Sequence, residues 1–292
     1  MQVKIPKMSG FCPGVRNAEK KLLQENSRPR CGHIYAYGNI INNSNYITYL
    51  KGLDIHTVGS VDQVPPGSSL AIRTHGINKQ EESALEKNYN LIDLTCVNVK
   101  RVQLSILDYA ARGFFTVIIG KKNHPEIKGL VSYAENYVVI ETPEELEDFA
   151  LRYHGLLQHQ KVNRVFIVSQ TTGRKDIFEM AVEKIKQTCS PRTEIVTYNS
   201  ICPITDRKEK EALRMQAEVD ITFVVGDRLS SNANKLYTIL AEKSTEVYFI
   251  ADLAELISLN LPLKNHSCAL LVSSASTPLF VENEIRAYLE DI

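Results

Sequence analysis

Three cysteines recur at an interval that invites a metal. Cys96 lies 24 residues before Gly120, Cys202 lies 24 before Gly226, and Cys12 lies 26 before Gly38. Behind each cysteine comes a helical stretch. In the middle copy Val99, Val102, Ile106 and Tyr109 give the apolar spacing. A short apolar run follows in each copy: HIYAYG, FFTVIIG and ITFVVG. Pro13–Gly14 and Pro203 mark helix starts, because proline is pre-organised for a first helical turn. A helix N-terminus favours negative charge and so favours thiolate, the form of cysteine that binds metal. Three thiolates suit structural zinc only if the chain adds a fourth ligand. They also suit a four-iron cluster with one iron left open, able to act as a Lewis acid on a substrate oxygen. Three buried, inert cysteines are the plain alternative. Cys31, Cys189 and Cys268 have no counterparts in the other copies and read as structural.

Around the cysteines, polar residues recur in the same register. Each glycine closes an apolar run and opens a polar loop: NIINNSN, KKNHPEIKG and DRLSSNANK. Each copy then carries a further apolar run ending in hydroxyl or imidazole groups: LAIRTHG, VFIVSQTTG and ALLVSSASTP. The candidates at these places are His75, His124, Glu126, Thr171, Thr172, Ser230, Ser231, Asn232, Asn234 and Ser276. Their hydroxyls, amides and imidazoles suit an anionic oxygen group such as a phosphate. SSNANK precedes a helical stretch whose free N–H groups add to an anion site, although serine and asparagine there also serve as ordinary helix caps. Glu126 is the carboxylate placed beside a histidine. In a dry pocket near a metal it is a proton donor, and otherwise a solvated turn residue. His56, His154, His159 and His266 lie in polar surroundings and receive no role.

These residues need a frame. Strands alternating with helices predict an α/β fold with mainly parallel strands, in three pseudo-equivalent units at 1–96, 97–198 and 199–292. In such sheets ligands bind at the carboxyl ends of strands, with His75, Thr171–Thr172 and Ser276 expected at strand ends. Packed about a pseudo-threefold axis, the three units would turn all six loops and all three cysteines toward one pocket. The 292 residues are 43% hydrophobic and 23% charged, an ordinary globular composition. Lys+Arg and Asp+Glu both number 34, and the resulting zero net charge argues against a general nucleic-acid binder. The opening MQVKIPKMSG lacks the apolar core of a signal peptide, and no run approaches the roughly 20 apolar residues of a membrane span. The expected location is the cytoplasm, where thiols stay reduced.

The ordered set GFCPGV, RTHG, LTC, HPE, SQTT, IC, SSNANK and ASTP resembles the LytB family, from about Phe11 to about Glu282. The resemblance implies a trefoil of three α/β units around a [4Fe–4S] cluster. Cys12, Cys96 and Cys202 would hold it, leaving one iron without a protein ligand. It implies reductive dehydroxylation of an allylic diphosphate, 4-hydroxy-3-methylbut-2-enyl diphosphate, with electrons from a ferredoxin or flavodoxin. Glu126 would be the proton source, with His124 beside it and Thr171 holding the hydroxyl end. His75, Ser230, Asn232 and Ser276 would cradle the diphosphate, with Ser231 and Thr172 also facing the substrate. The sequence departs from the family pattern at four places. Asn42 stands where a histidine binds diphosphate, Ile77-Asn78-Lys79 where Ser-Pro is usual, Val97 where proline is usual, and Ala233 where serine is usual. Asparagine donates a hydrogen bond but carries no charge. Two other readings therefore stand beside the first: a diverged LytB-like cluster enzyme acting on a different small molecule, and a cluster- or zinc-binding sensor without turnover.

Overall fold

The computed structural model describes residues 1–28, 32–159 and 162–292, with side chains outside 153–159. Cys31 and the side chains of His154 and His159 lie outside that set. Among the described residues are twelve strands: β1 (Gln2–Lys4), β2 (Ile34–Tyr37), β3 (Ile55–Val58), β4 (Ser69–Ile72), β5 (Asn90–Asp93), β6 (Phe115–Ile119), β7 (Tyr137–Ile140), β8 (Arg164–Ser169), β9 (Glu194–Tyr198), β10 (Ile221–Val225), β11 (Val247–Ile250) and β12 (Cys268–Ser273). They form three four-stranded sheets, parallel throughout. The fold is α/β, as the alternation of apolar runs predicts.

The sheet orders are β3-β2-β4-β5, β7-β6-β8-β9 and β11-β10-β12-β1. They are one order three times, with β1 standing as the fourth strand of the last sheet. Gln2, Val3 and Lys4 pair with Cys268, Ala269 and Leu270. The opening strand, within the expected 1–96 unit, thus belongs with the sheet of residues 221–273. The reason is an open edge. After β12 the chain runs into the helix Leu279–Asp291, and β1 covers the edge of β12 that would otherwise present unpaired backbone groups. By contact, the chain divides into two compact units. One comprises residues 1–74, 90–94 and 203–292 and holds the first and last sheets; the other comprises residues 75–89 and 95–202 and holds the middle sheet.

The central strands are apolar along their whole length because helices cover both faces. In the middle sheet Val117, Ile119, Val165 and Ile167 point to one core, and Ile118, Phe166 and Val168 to the other. In the last sheet Phe223 and Leu271 point one way, and Val224 and Leu270 the other. Such two-faced burial gives parallel strands their unbroken Val/Ile runs. Each fully buried side chain of this size contributes about 1.5–3 kcal/mol.

In every sheet the strand order reverses between the first strand (β2, β6, β10) and the third (β4, β8, β12). A crevice outside the carboxyl ends at such a reversal is where open parallel sheets place their ligands. The candidate loops are the ones leaving those two strands. The glycine after the first strand lets the following helix close over it. A Cβ on Gly226 would lie 2.6 Å from Ala233 Cβ, and one on Gly120 would lie 2.7 Å from Ile127 Cδ1 and 2.8 Å from Gln170 Cβ. Gly226→Ala is expected to cost about 1–3 kcal/mol through overpacking, read as a lower urea midpoint with an unchanged slope. An unchanged midpoint would mean the helix has room to move away.

Candidate functional site

The unit built on the middle sheet brings together the candidates of NHPEIKG and SQTT. His124 caps the short helix Pro125–Leu130, its Nδ1 accepting the Glu126 N–H at 3.1 Å. That acceptor role leaves the proton of the neutral ring on Nε2. Glu126 is buried, 1% exposed, and its carboxylate accepts two hydrogen bonds from one residue. The Thr171 N–H reaches Oε1 and the Thr171 hydroxyl reaches Oε2, both at 2.7 Å. Burial pushes the Glu126 carboxyl up to about 7, against the lowering pull of the two Thr171 bonds. This is a neutral-pH acid, not a solvated turn residue. His75 meets His124 edge to face with ring centroids 5.3 Å apart. Thr172 accepts from Gln170 Nε2 at 2.7 Å, and Gln170 Oε1 in turn accepts the Lys121 N–H at 3.1 Å. Gln170 braces the two loops against each other. The SQTT motif contained this residue, but its type alone gave no sign of that role.

Cys202 is tied to the same loop, its N–H donating to the Thr171 carbonyl at 2.8 Å. Cys202, Thr171 and Glu126 therefore form one hydrogen-bonded chain. The Cys202 sulfur also accepts from Asn98 Nδ2 at 3.5 Å. Cys96 lies in this unit too, capping the helix Val97–Ala111 without a side-chain capping bond.

The other unit repeats the arrangement at the end of its last sheet. Glu126 stands seven residues past β6, and Asn232 stands seven past β10; Thr171 is two past β8, and Ala275 two past β12. The Ala275 N–H donates to Asn232 Oδ1 at 2.9 Å, and the Cys12 N–H donates to the Ala275 carbonyl at 3.3 Å. The backbone bonds match those around Cys202, with an amide where the middle sheet has a carboxylate. Asn232 is buried, and this bond leaves its Nδ2 hydrogens as donors. Ser276 Oγ lies 3.1 Å from Ser230 Oγ, and Ser230 also caps the helix Ser231–Ala241 through the Ala233 N–H at 3.3 Å. Capping and the contact with Ser276 are thus compatible in one residue. Ser231 is half-buried at the first position of that helix. Asn234 staples the loop, its Nδ2 donating to the carbonyls of Arg228 and Ser230 at 2.6 and 2.8 Å. Asn42 Nδ2 donates to the Leu229 carbonyl at 3.2 Å. Ala233 is fully buried against Gly226, so this departure from the family serine is a packing position.

The strands end earlier than the sequence predicts. β4 stops at Ile72, β8 at Ser169 and β12 at Ser273, so His75, Thr171, Thr172 and Ser276 lie in the loops beyond. The polar residues gain reach by leaving the ladder. Lys208 has a role the sequence did not disclose. It is 2% exposed and donates to the carbonyls of Gly10 and Ser273 at 2.7 and 3.0 Å, clamping the Cys12 loop to the end of β12. Burial brings its ammonium down to about 8, against the raising influence of Cys12 and Glu282.

The three cysteines hold equivalent places in the three repeats. Each follows the fourth strand of a sheet and precedes the helix Pro13–Asn26, Val97–Ala111 or Pro203–Gln216; Cys12 and Cys96 spend no side-chain bond on capping. All three are partly exposed. Cys189 differs: it is buried, and burial pushes its thiol up, as expected of an inert residue. No helix among the described residues is long and apolar enough to cross a membrane.

Repeated parallel sheets, a buried acid at one reversal point and a cysteine after each fourth strand define the class, a repeated α/β protein with a buried carboxyl at the end of its middle sheet. The chain belongs to the LytB protein family, whose model matches residues 3–290. It is 32% identical over 289 residues to the 4-hydroxy-3-methylbut-2-enyl diphosphate reductase of Caldanaerobacter subterraneus, covering 98% of this chain and 95% of the relative. To the enzyme of the same name from Aquifex aeolicus it is 30% identical over 295 residues, covering 99% and 96%. Among solved structures it resembles (E)-4-hydroxy-3-methyl-but-2-enyl diphosphate reductase, the terminal enzyme of the non-mevalonate pathway, with TM-score 0.73, 29% identity and all of both chains covered. It also resembles the E-1-hydroxy-2-methyl-but-2-enyl-4-diphosphate reductase of Plasmodium falciparum, with TM-score 0.82, 26% identity, and 99% and 87% of the chains covered.

Proposed function

We propose that this chain is a reductase of 4-hydroxy-3-methylbut-2-enyl diphosphate, working in the cytoplasm. It removes the hydroxyl group as water, consuming two electrons and two protons, and releases isopentenyl and dimethylallyl diphosphate. The observation that carries this reading is Glu126: a buried carboxyl near pH 7, held by Thr171, one backbone hydrogen bond from Cys202. An acid with that titration point is matched to delivering a proton at neutral pH.

Cys12, Cys96 and Cys202 are the residues to hold a [4Fe–4S] cluster with one iron lacking a protein ligand. When bound, the cluster supplies the electrons, received from a ferredoxin or flavodoxin, and an iron with an open coordination position. The protein does the rest. Thr171 holds the Glu126 carboxyl in one orientation, so its proton is delivered from a fixed oxygen. The His124 Nε2–H and His75 provide donors beside it. Ser230, Asn232, Ser276 and Ser231 offer hydroxyl and amide donors for the diphosphate, and Thr172 and Asn42 add a hydroxyl and an amide. The second reading, a different small molecule, is favoured by Asn42, which carries no charge and commits its amide to Leu229.

The test is anaerobic. The cluster is reconstituted, iron and sulfide are counted, and reduced methyl viologen is followed on adding 4-hydroxy-3-methylbut-2-enyl diphosphate. Oxidation with isoprenoid diphosphates as products is expected. A full cluster without oxidation would overturn the substrate assignment and favour the second reading.

A further inference from the structure

A second group of ligating side chains lies at the opposite end of the first sheet from the candidate loops. His33 immediately precedes β2, Asp54 immediately precedes β3, and His56 is the second residue of β3. The parallel register sets Ile34 beside Ile55 and Tyr35 beside His56. Carried back one residue, it sets His33 beside Asp54. All three therefore gather at the amino ends of two adjacent strands, although 21 residues separate His33 from Asp54.

The Asp54 carboxylate lies between the rings, with Oδ2 2.5 Å from His33 Nδ1 and Oδ1 2.8 Å from His56 Nε2. The ring centroids are 5.3 Å apart and nearly perpendicular, and one ligand atom from each residue falls within 4.8 Å of the others. Asp54 has φ +61°, one of two positive-φ positions outside glycine among the described residues. Aspartate tolerates that conformation better than most residues, and here it turns the carboxylate toward both rings. The three side chains are about half exposed, leaving an ion an entry path and room for water ligands.

We propose that His33, Asp54 and His56 form a zinc site, separate from the cysteine ligands, that braces β2 to the edge strand β3. Two imidazole nitrogens and one carboxylate oxygen suit Zn2+, with water completing four-coordination. Magnesium and calcium prefer all-oxygen ligands and are poorly matched. The ion takes the place of the hydrogens that the ring nitrogens share with Asp54, and neutral imidazoles with one carboxylate leave it partly compensated.

The test uses the full chain with its cluster reconstituted, titrated with zinc chloride under equilibrium dialysis. Wild type is compared with His56→Ala and Asp54→Gly. The glycine variant removes a ligand while suiting the positive φ, so loss of binding there is not loss of fold. The cysteines are unchanged in all three proteins, so zinc held by them cancels in the comparison. Wild type is expected to bind one more equivalent than either variant, or to bind it at least about tenfold more tightly, since even outer partners of metal ligands alter affinity about 10–100-fold. Zinc is also expected to raise the melting temperature of wild type alone, and magnesium to do neither. Equal zinc binding by wild type and both variants would overturn the proposal, as would no difference in the zinc-dependent melting shift.

Discussion

Replacing Glu126 by glutamine is expected to lower turnover at least about a hundredfold while leaving iron and sulfide content unchanged, the usual scale for losing a general acid. Glutamine fits the space. Its carbonyl oxygen can accept the Thr171 N–H, and its amide can donate to the Thr171 hydroxyl, which rotates to accept. The two bonds that Glu126 makes at 2.7 Å thus survive in altered polarity, and the link from Thr171 to Cys202 is backbone to backbone. What is lost is the transferable proton. Burial puts the carboxyl at about 7, so turnover that depends on its acid form falls as pH rises through that value. The glutamine variant should lack that limb. Stability gives an independent readout. A carboxyl raised from 4.5 to about 7 in the folded state contributes stability that is complete below 4.5 and lost as pH rises through 7. At about 1.4 kcal/mol per unit this is roughly 3 kcal/mol. Glutamine carries no such dependence, so from pH 4 to pH 8 the variant should gain on wild type by an amount of that order. Undiminished turnover, or a stability difference independent of pH, would remove Glu126 from the role of proton source.

Much of this arrangement was legible in the sequence because it is repeated. The Cys-to-Gly spacing recurs since each copy runs from the end of one sheet through a helix to the first strand of the next. The FTVII and ITFVV runs are unbroken because both faces of those strands are covered. Other features left no local trace. Gln2–Lys4 is too short to announce a strand, and its partner lies at the far end of the chain. Lys208 sits in the run DRKEKE, which reads as solvated, yet Thr205, Ala212 and Gln216 are buried on the same helix and Lys208 turns inward with them. The sequence places strand ends too late because SQTT and SSAST continue the apolar runs without a turn residue, so nothing marks where the ladder stops. His56 reads as a histidine without a role because a parallel crossover, not a motif, brings it and His33 to Asp54.

Single replacement of Cys12, Cys96 or Cys202 by serine is expected to remove most iron and sulfide from the reconstituted protein, while Cys189→Ser and Cys268→Ser keep theirs. Serine is nearly isosteric, its hydroxyl can accept the Asn98 amide that the Cys202 sulfur accepts, and backbone bonds hold the Cys12 and Cys202 loops. Cys202 donates its N–H to Thr171, and Cys12 donates its N–H to Ala275. The substitution therefore removes the soft sulfur ligand without loosening the loop, and hydroxyl oxygen is a poor replacement for thiolate on iron. Buried Cys189 packs within the core of the middle sheet, so its serine variant should lose stability before it loses iron. Cys268 opens β12, where its N–H donates to Asp220 at 2.9 Å, at the end of the strand away from the loops. The comparison thus separates ligand loss from general destabilisation, with urea midpoints run alongside the iron counts. A fall in iron that tracked the midpoint across all five variants would make the loss one of fold. Full iron content in any one of the Cys12, Cys96 and Cys202 variants would break the equivalence of the three fourth-strand positions on which the cluster assignment rests.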